Sequence, residues 1–207
     1  MSGEFGTRWS TGLDAVIFDL DGVIRHYDRR QELAIERRHD LPAGSILTTA
    51  FGGPLGDAFQ RGRIDRVEFT ASLGEALGNT AAAREFMALR AEVDPGAVAV
   101  VAALQERVPV ALLTNGSVHT RDELVEQGLD GVFEHVVNSA ELGAKKPEPA
   151  AYRAALDLLG VEATRALFID DHEPNVVGAR EVGLRAHLYL GLASLTDELV
   201  GLGLRAS

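Results

Sequence analysis

Short apolar runs alternate with longer amphipathic stretches along most of the chain. The runs are "LDAVIF" (13–18), "VPVALLT" (108–114), "EHVVNS" (134–139), "ALFID" (166–170) and "AHLYL" (186–190). Most are rich in Val, Ile and Leu, and near-continuous apolar character predicts strands covered on both faces. Between them the spacing predicts helices over 95–107, 119–127, 148–159, 173–182 and 194–203. "DPGAV" offers Asp94 as a cap and Pro95 as a first helical residue, and "RAALDLLG" stops at Gly160. This alternation predicts an α/β fold, a doubly wound parallel sheet. Residues 26–92 break the pattern. They contain no convincing strand and read as short helices at about 28–39, 44–51, 54–61, 65–77 and 80–90. The expected organisation is a core made of 1–25 and 93–207, with a small all-helical module, 26–92, inserted after the first strand.

Composition narrows the function. The 207 residues suit one substantial domain with an insert. The net charge of -11 argues against nucleic acid as a partner. No apolar run approaches the ~18 residues of a membrane span. The absence of cysteine excludes disulfides and thiolate metal sites, and fits a cytoplasmic location. "GTRWSTG" lacks the apolar run of a signal peptide, and Trp9 reads as a loose N-terminal residue. Nothing in the pattern fixes an oligomeric state.

The first run ends as "AVIFDLDGVI", with Asp19 and Asp21 where the strand should surface. Residues i and i+2 share a side, so both carboxylates can face one site. Two like charges so close need a cation or a shared proton. With oxygen ligands the natural cation is hard, magnesium or manganese. Thr114 and Asn115 end "VALLTN", Asp170 and Asp171 end "ALFIDD", and a loop carries Lys145 and Lys146. One edge of a parallel sheet gathers these ends. Such a set suits a phosphate if metal and lysine offset the charge.

"DLDGV", "LLTNGS", "KKPEPAAY" and "FIDDHEPN" occur in the order of the four motifs of the haloacid dehalogenase-like superfamily, which the chain resembles from residue 13 to about 190. Residues 26–92 resemble the helical cap domain of one of its branches. The resemblance implies a magnesium-dependent phosphatase of a small phosphorylated metabolite, such as a sugar phosphate. Asp19 would be the nucleophile and Asp21 the general acid and base. Thr114 would bond the phosphoryl group, with the Asn115 amide nearby, and Lys146 would neutralise Asp19 and the phosphate. Magnesium (Mg2+) would be held by Asp19, the Asp21 carbonyl and Asp171. Asp170 would orient Lys146 or a metal-bound water, and Asn175 would orient an acid or simply begin a helix. "DDHEPN" with a small cap is similar to the sugar-phosphatase and epoxide-hydrolase N-domain branch.

Rival readings remain. A dehalogenase needs the nucleophile but not the second acid, so Asp21 weighs against it. A phosphomutase also uses an Asp-x-Asp pair. A receiver-type signalling domain would place its lysine last, whereas Lys146 precedes Asp170 and Asp171 here. A non-catalytic binding protein would not need every motif position filled. Arg25, His26 and Tyr27 are expected at the substrate or on the surface. "FGGPLGD" (51–57) is expected over the site or as a simple bend, and "DRRQELAIERRHD" as a solvated helix face. His172 is expected exposed, Gly22 as a turn residue, and one of Lys145 and Lys146 as solvated surface.

Overall fold

The computed structural model describes residues 12–204, so Trp9 and the "GTRWSTG" leader lie largely outside the described residues. Strand β1 (Ala15–Phe18) leads to a two-residue strand β2 (Arg25–His26). Five helices follow: α1 (Arg29–Arg38), α2 (Ser45–Phe51), α3 (Pro54–Gln60), α4 (Arg66–Ala76) and α5 (Thr80–Met87). After β3 (Glu92–Val93) come α6 (Pro95–Gln105), β4 (Val110–Thr114), α7 (Thr120–Glu126), β5 (His135–Asn138) and α8 (Ser139–Leu142). The chain ends with α9 (Pro149–Leu159), β6 (Ala166–Asp170), α10 (Glu173–Glu181), β7 (Arg185–Leu188) and α11 (Leu192–Gly201).

The five apolar runs form one parallel sheet in the order β5-β4-β1-β6-β7. Its middle strand, β1, is buried at every position. Alternation sends Val16 and Phe18 to one face, against Val101 of α6 and Leu195 and Leu199 of α11. Ile17 goes to the other face, against Tyr152 of α9 and Ala179 of α10. The sheet is therefore doubly wound, as the alternation of runs and helices predicts. At the rim β7 is only partly covered, so its signal in the sequence is weaker and its bounds sit one or two residues early.

Asp28, Asp65, Asn79 and Asp94 cap α1, α4, α5 and α6, each accepting from an amide of the first turn. Helix α2 follows a glycine that offers no side-chain cap. Glu36 supplies one from α1, its two oxygens accepting from the Gly44 and Ile46 amides at 2.8 and 2.9 Å. Helices α1–α5 have apolar cores of their own, one around Phe59, Phe69 and Leu73 and another around Ile35 and Ile46. "DRRQELAIERRHD" has its expected solvated face at Arg29, Arg30, Gln31, Arg37 and Arg38, but its other face is buried through Glu32, Ile35 and Glu36. The charge pattern hid this, because it does not show that Glu36 has amide partners on the next helix.

The antiparallel pair β2–β3 was not expected within or beside 26–92. Two residues are too few to show the alternation that marks a strand. Among the described residues no helix is long and apolar enough to cross a membrane.

Candidate active site

β1, β4 and β6 are neighbours, so their carboxyl ends open on one cleft. Asp19 directly follows β1, held there by its amide donating to the Ile169 carbonyl at 2.9 Å. Thr114 ends β4 and Asp170 ends β6. Asp19, Asp21, Thr114, Asn115, Lys146 and Asp171 all line the cleft, a space of about 570 Å³ between these ends and helices α1–α5.

Lys146 is the hub. Its Nζ lies 2.7 Å from Asp19 Oδ1 and 2.7 Å from Asp170 Oδ2. The lysine is 2 % exposed, Asp19 7 % and Asp170 0 %. Burial by itself pulls the Lys146 ammonium down, but Asp19 and Asp170 outweigh it and hold the ammonium above its usual range. Asp19 feels the reverse: burial pushes its carboxyl well up, Lys146 opposes, and Asp170 adds to the rise. Burial and then Asp170 also raise the Asp171 carboxyl.

Asn115 has a role that its sequence reading missed. Its Nδ2 donates to the Lys146 carbonyl at 2.9 Å, and its Oδ1 accepts from the Lys146 amide at 2.8 Å. The side chain thus fixes the loop that carries the ammonium. Asn175 is buried and donates to both oxygens of Asp170, at 3.1 and 3.0 Å. Of the two roles open to it, the structure shows the orienting one. Asp170 Oδ1 also accepts from the His172 amide, and the His172 side chain is exposed as expected.

Of the two expectations for Arg25, the surface one is corrected: the residue is 4 % exposed and lines the cleft. Its Nε donates to Asp21 Oδ1 at 2.6 Å, and its other nitrogens donate to Gln127 and Glu123 of the α7 region at 3.0 Å each. The spacing of four from Asp21 was visible in the sequence, but partners about a hundred residues away were not. Lys145 is not merely solvated either: it donates to Gln60 Oε1 at 3.0 Å and pairs with Asp57. Tyr27 lines the cleft, and the "FGGPLGD" bend places Phe51 there, while His26 lies 3.8 Å from Asp94.

Asp19, Asp170 and Asp171 bring oxygens within 4.8 Å of one another. Three carboxylates against one ammonium leave two negative charges uncompensated, and Asp21 already has Arg25. A hard divalent cation fits such a donor set by charge and by ligand type. Both Asp170 oxygens are engaged by Lys146, Asn175 and His172, whereas solvent-facing Asp171 keeps its carboxylate oxygens for other partners. Gly22 has φ +89, and a Cβ there would collide with the Asp171 carboxylate. It is a turn residue, as expected, and it also makes room for an acid. Gly22→Ala should therefore displace Asp171, costing about 1–2 kcal/mol of stability and weakening the grip of these acids on any hard divalent cation at least about tenfold. A melting curve and a direct titration of the folded protein with a divalent cation check both.

The comparisons with known proteins bear on this site. The family model for haloacid dehalogenase-like hydrolases matches residues 13–183. A phosphatase of Mycobacterium tuberculosis, MT3486, is 35 % identical over 190 residues, covering 85 % of this chain and 87 % of that protein. A phosphoglycolate phosphatase of Rhodospirillum rubrum is 32 % identical over 189 residues, covering 82 % and 76 %. An (S)-2-haloacid dehalogenase of Pseudomonas is 35 % identical over only 79 residues, covering 38 % and 34 %. Among solved structures, an enzyme of Bacteroides thetaiotaomicron in complex with magnesium and inorganic phosphate superposes with a TM-score of 0.67 at 21 % identity, covering 85 % of this chain and 93 % of that one. That likeness speaks for the fold. Sequence match and architecture agree, and the chain belongs to the haloacid dehalogenase-like hydrolase family as a hydrolytic enzyme.

Proposed function

We propose that the protein is a magnesium-dependent phosphatase of a small phosphate monoester. The observation that carries this reading is the Asp19–Lys146–Asp170 cluster at 2.7 Å contacts, with Thr114 on the same cleft and a second acid two residues after Asp19. A carboxylate nucleophile must be ionised, and the ammonium at 2.7 Å favours that state against burial. Asp19 attacks phosphorus, the bond to the leaving oxygen breaks, and Asp21, which must first leave Arg25 and take up a proton from solvent, passes that proton to the leaving oxygen. Asp21 then takes a proton from the water that hydrolyses the aspartyl phosphate, returning Asp19 and releasing inorganic phosphate. Thr114 donates to the transferring group, and Lys146 balances its oxygens. Magnesium, held by Asp19, the Asp21 carbonyl and Asp171, would supply positive charge that offsets carboxylates and phosphate together. Asp170 then acts as the positioning residue for Lys146, and residues 26–92 as a cap that covers the leaving group.

Relatives named as phosphatases along most of their length support this reading. Asp21 favours it over dehalogenation, which needs no second acid. The test is release of p-nitrophenol from p-nitrophenyl phosphate. Activity should need magnesium, fall at least about a hundredfold in EDTA, and return when magnesium is restored. Halide release from 2-chloropropionate with no phosphate release from any monoester would reverse the reading.

A further inference from the structure

The wall of the cleft facing the strand ends is mostly apolar. Leu47, Phe51, Phe59, Phe86 and Met87 contribute to it from α2, α3 and α5. Glu32 of α1, which is 4 % exposed, is the buried acid on this wall, beside the more exposed Asp28, Arg29, Gln60 and Arg66. Its Oε1 is buried and has no hydrogen-bond partner among the described residues. Its other oxygen lies 3.5 Å from an Arg29 nitrogen, beyond good hydrogen-bond range, and most of the Arg29 side chain is in solvent. Glu36, one turn further along, is buried too, but both of its oxygens accept amide protons. The two acids therefore differ: Glu36 completes the fold, and Glu32, which borders the cleft, keeps a buried acceptor unmet.

A buried acceptor without a partner is destabilising, and native structures rarely keep one without a use for it. Burial raises the Glu32 carboxyl, against the pull of Arg29, which agrees with an incompletely compensated site. The cleft has the volume of a ligand site, about 570 Å³, with apolar surface from the helices and charged groups along the strand ends. Phosphate belongs with Lys146 and Thr114, so the alcohol part of the ester lies along the helical wall, where Glu32 stands.

We propose that Glu32 is a specificity-determining residue, and that the substrates are phosphate monoesters whose carbon body carries a hydrogen-bond donor, hydroxyl or ammonium, that meets its unpartnered oxygen. This rests on the phosphatase reading. A polar donor would then be selected at this point of the wall, because an ester lacking it leaves the acid unpaired in the bound state.

The experiment compares alkyl phosphates three to six heavy atoms long in the alkyl part, ending in methyl, hydroxyl or ammonium. At the best length, kcat/KM for a donor-bearing ester should exceed that for its methyl isostere at least about tenfold, with most of the difference in KM. Glu32→Leu should bring that ratio to within about twofold of one. Its melting temperature should not fall, because an unpartnered buried acid is removed. Glu32→Gln keeps an acceptor but loses the charge. It should keep the hydroxyl ratio and lose most of the ammonium ratio, and it serves if the leucine variant does not fold. The inference is overturned if the wild-type ratio is near one at every length. It is equally overturned if folded variants keep the wild-type ratios while phosphate release persists. If the wild type releases phosphate from no monoester, p-nitrophenyl phosphate included, the phosphatase reading fails and takes this inference with it.

Discussion

Lys146→Met should lose at least about three orders of magnitude in kcat/KM for any phosphate ester and also weaken the fold. The ammonium is 2 % exposed and lies 2.7 Å from two carboxylates that are themselves buried. Methionine fills its volume but leaves Asp19 and Asp170 facing each other, with Asn175 and the His172 amide still donating to Asp170. Removing one partner of a buried ion pair typically costs about 3–5 kcal/mol. The loss has a pH signature. With the lysine gone, burial and the Asp170 charge raise the Asp19 carboxyl further, so the native state binds more protons than the unfolded chain. Stability of the variant in EDTA should then fall as pH rises from about 5 to about 8. In the wild type, Asp19 and Asp170 raise the ammonium, so its contribution is present through neutral pH and is lost only above the ordinary lysine range. Urea titrations at both pH values, run beside initial rates, check the two halves. A variant with wild-type turnover would remove Lys146 from the site.

Asp19→Asn should be the opposite case, with rate abolished and fold retained. The amide oxygen keeps the position that accepts from the Leu20 amide and from Lys146 at 2.7 Å each. It removes one charge from a set of three carboxylates, so repulsion falls. What it cannot do is form an acyl phosphate, because an amide oxygen is too poor a nucleophile. Turnover should drop by at least about four orders of magnitude, with a melting temperature within a few degrees of the wild type. Rates of p-nitrophenyl phosphate hydrolysis and a thermal scan suffice. Normal turnover in this variant would transfer the nucleophile's role to another residue. Read together, the two substitutions separate chemistry from architecture: one group is needed for both, the other for chemistry alone.

The periodic elements were legible because their cause is local. "AVIF" and "ALFID" are buried on both sides and read so, and "DPGAV" carries its own helix start. The convergence of Asp19, Thr114, Lys146 and Asp170 was legible through topology, since parallel strands point their ends one way. What stayed hidden depended on partners distant along the chain. Arg25 meets Glu123 and Gln127, Asn115 meets Lys146, and Glu36 meets an amide on the next helix. No window of ten residues contains the first two of these pairings. Glu32 and Glu36 lie one turn apart and look alike in sequence, and only the coordinates distinguish the satisfied acid from the unsatisfied one.

The segment from Lys145 to Glu148 is grasped from both sides. Lys145 holds Gln60, Glu148 holds Arg61, and Lys146 points the other way, into the acids. Shifting α3 outward must pull on the same short loop that delivers the ammonium. An outward movement of that helix would thus admit solvent and draw the ammonium away from Asp19 in one motion.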